Sequence, residues 1–173
     1  MRYSRPIALG VIAAMTCATA ALTQTARPPA KPIAAPAYTA GAFTPGFDDL
    51  MTMLVQPRHI KLYYAGAARN WELAAAQSRD LRASFGRIAQ AIASYQGNDV
   101  AGAAGNFAVP QLDAVDAAIA AGDAPGFTAA YAALTKGCNE CHAYMEHPFL
   151  VIKVPEAPAD SAHPDQEYRP MEE

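Results

Sequence analysis

Residues 124–145 read APGFTAAYAALTKGCNECHAYM, and the spacing within them sets the architecture. Phe127, Tyr131, Leu134, Cys138, Cys141 and Met145 follow one another at intervals of four, three, four, three and four. A helix turns once in about 3.6 residues, so these six positions share one face and form a core-facing stripe. Asp123 precedes the run as an N-cap and Pro125 falls in the first turn, where a missing N–H costs nothing. Pro148 closes it off. Both cysteines therefore belong to the buried face, and His142 sits beside that face rather than opposite it.

The rest of the chain repeats the three-and-four rhythm. A first helix is expected from about Phe47 to Ala68. A second follows Asn70 as N-cap and runs to about Ser94, with Leu81, Phe85, Ile88, Ile92 and Tyr95 inward and Gly97-Asn98 ending it. Gly102 and Gly105 read as loop. Pro110 suits the first turn of a third helix, which carries Leu112, Val115 and Ile119 inward before Gly122 stops it. Short connections favour antiparallel neighbours, so the expected fold is all-α, an antiparallel up-down-up-down four-helix bundle over residues 47–147. Residues 148–173 follow as an extended C-terminal tail, in which Phe149-Leu150-Val151-Ile152 is the one strand-like run.

Within the last helix, Cys138-Asn139-Glu140-Cys141-His142 carries the chemistry. Two thiols three residues apart can each add to a vinyl group of haem, and the histidine that follows reaches the iron. The expected cofactor is one covalent haem c, attached at Cys138 and Cys141, with His142 as an axial ligand. On the bundle face such a group enters between helices. Gly137 either admits the macrocycle or a neighbouring helix, or is simply a tolerated glycine costing about 1 kcal/mol of helix propensity. Asn139 and Glu140 are expected to face solvent, as are His147 and His163. Trp71 reads as a packing anchor at the first hairpin.

The N-terminus suits this chemistry. Met1 to Arg5 is short and basic, the run from Ile7 to Ala21 is apolar and uncharged, and Ala18-Thr19-Ala20 offers small residues for cleavage. That is the layout of a secretory signal peptide over residues 1–21, and it predicts a periplasmic or secreted protein. Lipid anchoring through Cys17 is the alternative. Removal of the segment leaves Cys138 and Cys141 as the only thiols and moves the formal charge from −3 to about −5. A mildly acidic surface argues against nucleic acid and is compatible with a basic redox partner. Residues 22–46 are rich in proline and alanine and read as a linker. The remaining length suits one small domain with no membrane span in the mature chain.

The second axial position is open on sequence grounds. The haem motif lies about 16 residues from its helix start, roughly 24 Å at 1.5 Å per residue. The same distance back from Ala68 on an antiparallel first helix falls near residue 52. Met53 is thus the leading candidate for sixth ligand, with Met51 and His59 behind it; an open iron is the remaining option. Met53 shares a face with Leu50, Pro57, Ile60 and Tyr64, whereas His59 projects with Thr52, Gln56 and Tyr63. Arg58 and Lys61 are candidate partners of haem propionates or else snorkelling side chains.

With this motif late in a four-helix pattern, the chain resembles class II cytochromes c, the cytochrome c-prime and low-spin c-556 group. In that family low-spin members take a methionine from the first helix, matched here by Met53 or Met51, and high-spin members leave the position open. Gln56-Pro57-Arg58-His59-Ile60-Lys61-Leu62, Ala65-Gly66 and Asn70-Trp71-Glu72-Leu73-Ala74 depart from cytochrome c-prime. They look more like a group of small exported bacterial four-helix proteins with a late Cys-Asn-x-Cys-His. The resemblance spans about residues 47–170. It also implies homodimerisation through the first two helices.

The function expected is single-electron transfer to unidentified redox partner proteins. Neither a Ser/His/Asp set, a phosphate-cradling glycine loop nor a carboxylate pair at one site is evident, which favours a carrier over an enzyme. A five-coordinate haem that binds or senses small gases is one alternative. The other drops haem and gives Cys138, Cys141, His142 and His147 to zinc or copper, or the thiols to a disulfide.

Overall fold

Three side-chain caps and one proline explain where the helices begin and bend. The computed structural model describes residues 44–157 and 168–170. The expected signal peptide, Cys17, nearly all of the linker, His163 and Gln166-Glu167 lie outside the described residues. The first helical stretch is α1 (Phe47–Leu50), a π-helical turn (Met51–Val55) and α2 (Gln56–Ala67) in unbroken succession. The π turn has a local cause. Pro57 has no N–H to give the Met53 carbonyl four residues back, and its ring would collide with that carbonyl in a regular helix. The turn widens instead, and the Gln56 N–H bonds the Met51 carbonyl five residues back.

The second helix, α3 (Trp71–Ala91), starts as expected: the Asn70 Oδ1 accepts the Leu73 N–H at 3.1 Å. It ends earlier than the periodicity suggested. Ile92 turns extended, and Tyr95 lies in a two-residue strand, β1 (Ser94–Tyr95), paired antiparallel with β2 (Asn98–Asp99). Gln96 and Gly97 connect them with φ of 50° and 83°, the mirror-image turn that matches strand twist. The loop expected around Gly102 and Gly105 is in fact helical, α4 (Val100–Phe107). Asp99 caps it by accepting from Ala101 and Gly102, and Val100 and Ala103 are buried beneath it. Capping and burial together outweigh the cost of two glycines.

The two remaining helices match their sequence signals. α5 (Val109–Ala121) ends at Gly122 with φ of 62°, and α6 (Ala124–Tyr144) begins under the Asp123 cap on Gly126. α2 packs on α3, α5 on α6, α3 on α5 and α2 on α6, with α4 wedged against α3, α5 and α6. Among the described residues the fold is all-helical apart from the small hairpin and the irregular tail. Leu62, Leu81, Ile88, Leu112, Val115, Phe127, Tyr131 and Leu134 form its centre, each at most 2% exposed. Each contributes roughly 1.5–3 kcal/mol on burial. The Phe127 ring lies where a Cβ on Gly66 would be, so α2 and α6 meet closely only because residue 66 is glycine. No described helix is long and apolar enough to cross a membrane.

The tail after α6 is irregular through Ala157. Tyr64 donates its hydroxyl to the Ala157 carbonyl at 2.6 Å, and the Tyr168 ring packs 5.5 Å from the Tyr64 ring.

Candidate cofactor-binding site

Cys138, Cys141 and His142 all open on one cavity of about 440 Å³, within the range of pockets that hold small molecules and cofactors. One wall is α6, closed at its end by Met145. The first helical stretch supplies Phe47, Met51, Thr52, Val55, Gln56 and His59 to the opposite wall. Phe85 and Ile88 of α3 and Val100, Ala103 and Ala104 of α4 complete an apolar floor, and Phe149, Leu150 and Ile152 of the tail form the rim. The surface of the site is mostly carbon. Asp48 is its one charged side chain among the described residues.

Each wall follows from local sequence. Cys138 and Cys141 continue the buried stripe of Phe127, Tyr131 and Leu134, so α6 presents both thiols to the interior. Gly137 sits where α6 meets the end of α4: a Cβ there would lie 2.2 Å from the Phe107 carbonyl oxygen. The glycine therefore admits a neighbouring backbone, which settles the choice its position left open.

Burial pushes the Cys138 thiol up to about 12 and also raises Cys141. Desolvation penalises both thiolates, and at Cys138 the neighbouring Cys141 sulfur adds to the effect. Among the described residues no group of three or more His, Cys, Asp or Glu side chains converges on a point where a metal ion could sit.

His142 is held in one tautomer. Its Nδ1 lies 2.7 Å from the Leu150 carbonyl oxygen, which can only accept, so Nδ1 carries the proton and Nε2 keeps its lone pair. A ligating histidine is ordinarily oriented in this way, by donating its second nitrogen to a carbonyl or carboxylate.

On the facing wall the register differs from the expected one. Met53 is 57% exposed and takes no part in the lining, whereas Met51 lines the cavity. Thr52, Gln56 and His59 do turn towards α6, as the helical wheel groups them, and the π turn brings Met51 onto their face one wide turn above Gln56. The count from Ala68 falls near residue 52 and does not separate Met51 from Met53; the direction of each side chain does. Arg58 and Lys61, the candidate propionate partners, do not line the cavity either. The Arg58 Nη1 donates to the Leu54 carbonyl at 2.6 Å on its own helix.

His59 reaches the cavity but both its ring nitrogens are engaged. Nδ1 lies 2.9 Å from the Tyr131 hydroxyl and Nε2 3.1 Å from the Thr135 hydroxyl. Tyr131 Oη also stands 2.8 Å from the His59 carbonyl, and Thr135 Oγ 3.0 Å from the Tyr131 carbonyl. The carbonyls can only accept and each hydroxyl has one proton, so a neutral imidazole satisfies three of these four contacts at a time: its N–H donates to one hydroxyl, and the other hydroxyl donates either to the ring or to its carbonyl. Desolvation lowers the His59 pKa to about 4.

Two residues were read differently from sequence. His147, expected at the surface, is half-buried in the lining. Its Nδ1 donates to the Met145 carbonyl at 2.7 Å, and its ring lies tilted against those of Tyr95 and Phe149, at 5.6 and 5.4 Å. Asn139, expected to face solvent, binds the tail: its Nδ2 donates to the Ile152 carbonyl at 2.9 Å and its Oδ1 accepts the Ile152 N–H at 2.7 Å. Helix periodicity places Asn139 off the core stripe correctly but cannot show that the tail returns over it. Glu140 is exposed as expected and pairs with Lys136.

Comparison with models of known protein families, with curated proteins and with solved structures finds no match for this chain.

Proposed function

We propose that the protein is an exported, periplasmic monohaem c-type cytochrome of the class II kind, built as an antiparallel four-helix bundle, that passes single electrons between partner proteins. One observation carries the reading. Both thiols of Cys138-Asn139-Glu140-Cys141-His142 and the imidazole open on the same apolar cavity, and Nδ1 of His142 is already spent on the Leu150 carbonyl. Cys138 and Cys141 are the groups that would form thioethers, each sulfur adding to one carbon of a vinyl group while a proton adds to the other. His142 would offer Nε2 to the iron. When bound, haem supplies a centre that gains and loses one electron, at a potential set by ligands, burial and hydrogen bonds.

The chain's own residues account for the rest. Phe85, Ile88 and Val100 exclude water from the floor, and Phe149 and Leu150 cover the rim. Among the described residues no group of three or more His, Cys, Asp or Glu side chains converges, which weighs against the zinc or copper alternative. As the bundle forms in this reading, its first two helices are left to serve a homodimer, as the resemblance to class II cytochromes implies.

A second reading has a specific observation in its favour. Met53 faces solvent and both nitrogens of His59 are occupied, leaving the Met51 thioether as the remaining candidate ligand on the facing wall. A site whose second axial position is open would bind nitric oxide or carbon monoxide.

The test is export of the full-length chain in a bacterium with active haem-maturation machinery. The expected result is a mass increase of one haem, a pyridine haemochrome spectrum, and loss of covalent haem in Cys138→Ala and Cys141→Ala. Colourless protein with two free thiols would overturn the proposal. A sharp low-spin band in the reduced spectrum supports electron transfer; high-spin spectra with rapid carbon monoxide uptake support gas binding.

A further inference from the structure

The geometry points to Asn139 as a positioning residue for His142, acting through the tail. All of its amide hydrogen-bonding groups are in use. Nδ2 donates to the Thr135 carbonyl at 3.1 Å and the Ile152 carbonyl at 2.9 Å, and Oδ1 accepts from the Ile152 N–H at 2.7 Å. The amide thus pairs with Ile152 as a neighbouring strand would. Two residues earlier, the Leu150 carbonyl accepts from His142 Nδ1 at 2.7 Å.

The spacings match. Residues i and i+2 of an extended chain point the same way and lie roughly 6.6 Å apart. Residues i and i+3 of a helix, here Asn139 and His142, are neighbours at roughly 5–6 Å. The extended tail can therefore meet both side chains at once, Ile152 on Asn139 and Leu150 on His142.

Apolar burial does not hold this part of the tail. Phe149 is 74% exposed, Leu150 44% and Val151 70%. Besides the Leu150 N–H bond to the His147 carbonyl at 3.0 Å and the Phe149 ring 5.4 Å from that of His147, the hydrogen bonds that tie residues 149–152 to α6 are those of Asn139 and His142. Releasing Ile152 from Asn139 frees the Leu150 carbonyl, and with it the proton location and ring orientation of His142. Donation from Nδ1 makes Nε2 a more basic ligand, which favours the more positively charged iron.

The clamp stands on the protein geometry alone; its effect on a metal rests on the haem reading above. Two variants of the exported full-length protein test it, Asn139→Ala on the helix and Ile152→Pro, which removes the tail N–H while leaving α6 intact. In haem-loaded protein each is expected to weaken the preference for ferric iron roughly ten-fold, which for one electron is about 59 mV upward in potential. The double variant is expected to add little, because both changes break the same contact. A potential unmoved in both folded single variants overturns the inference, as does full additivity. If the protein carries no haem, the haem reading fails but the clamp is still read from the ¹⁵N shifts of His142. A proton held on Nδ1 in the parent and released in either variant supports it, and an unchanged tautomer overturns it.

Discussion

Acidification from pH 7 to pH 4 should remove about 3 kcal/mol of stability through His59 alone. The side chain is 4% exposed, and desolvation holds its pKa at about 4 in the fold against 6.5 for an unburied histidine. The unfolded chain therefore binds more protons than the folded one between these values, and stability rises with pH across that window. The contribution is fully present above pH 6.5 and is lost as pH falls towards 4. Linkage gives about 2 kcal/mol lost by pH 5 and about 3 by pH 4. His59→Gln removes the titration while keeping a polar side chain beside Tyr131 and Thr135. It should cost about 1–3 kcal/mol at pH 7, because the hydroxyls lose well-placed partners. Urea unfolding followed by circular dichroism at pH 7, 5 and 4 measures both chains. The parent's advantage over the variant should fall by about 2 kcal/mol at pH 5 and about 3 at pH 4, reversing in sign where its value at pH 7 is smaller than that. Parallel losses would refute the assignment, since carboxylate protonation is common to parent and variant.

Gly137→Ala places a methyl 2.2 Å from the Phe107 carbonyl oxygen, so strain of about 1–3 kcal/mol should exceed the gain of about 1 kcal/mol in helix propensity. Its melting temperature should fall, by roughly 4–8 °C per net kcal/mol; a rise would show that α4 and α6 are not in this contact. Met53→Leu should leave the optical spectrum of the exported protein unchanged, because Met53 is turned away from the cavity; a shifted spectrum refutes the π-helical register. Arg82 pairs with Asp113 and Asp116 at 2.8 Å on a partly exposed face, so Arg82→Ala should cost no more than about 1 kcal/mol. That cost should shrink further in 1 M salt.

The elements that were legible are those whose signals are local. Asn70, Asp123, Pro110 and Gly122 bound helices by cap chemistry and φ preference, which neighbours in sequence specify. The stripe from Phe127 to Met145 fixes which face of α6 is buried for the same reason. Gly102 and Gly105 misled because the Asp99 cap and the burial of Val100 and Ala103 act against their propensity. Ile92 and Tyr95 keep the helical spacing by coincidence, while the turn at Gln96-Gly97 folds the chain back into a hairpin. A count of residues along the first helix reaches Met51 and Met53 alike, and only the folded chain shows that Met51 lines the cavity while Met53 is exposed.

The periodicity was enough to place Cys138, Cys141 and His142 on one helix and to say which face of it turns inward, because spacing along one helix is enforced by the backbone alone. What faces those residues depended on contacts between segments far apart in the chain. Only folding brings Leu150 to His142, Ile152 to Asn139, and Met51 rather than Met53 to the cavity. No single-helix pattern encodes such meetings, since they are set by where the tail returns and how far the π turn rotates the opposite wall.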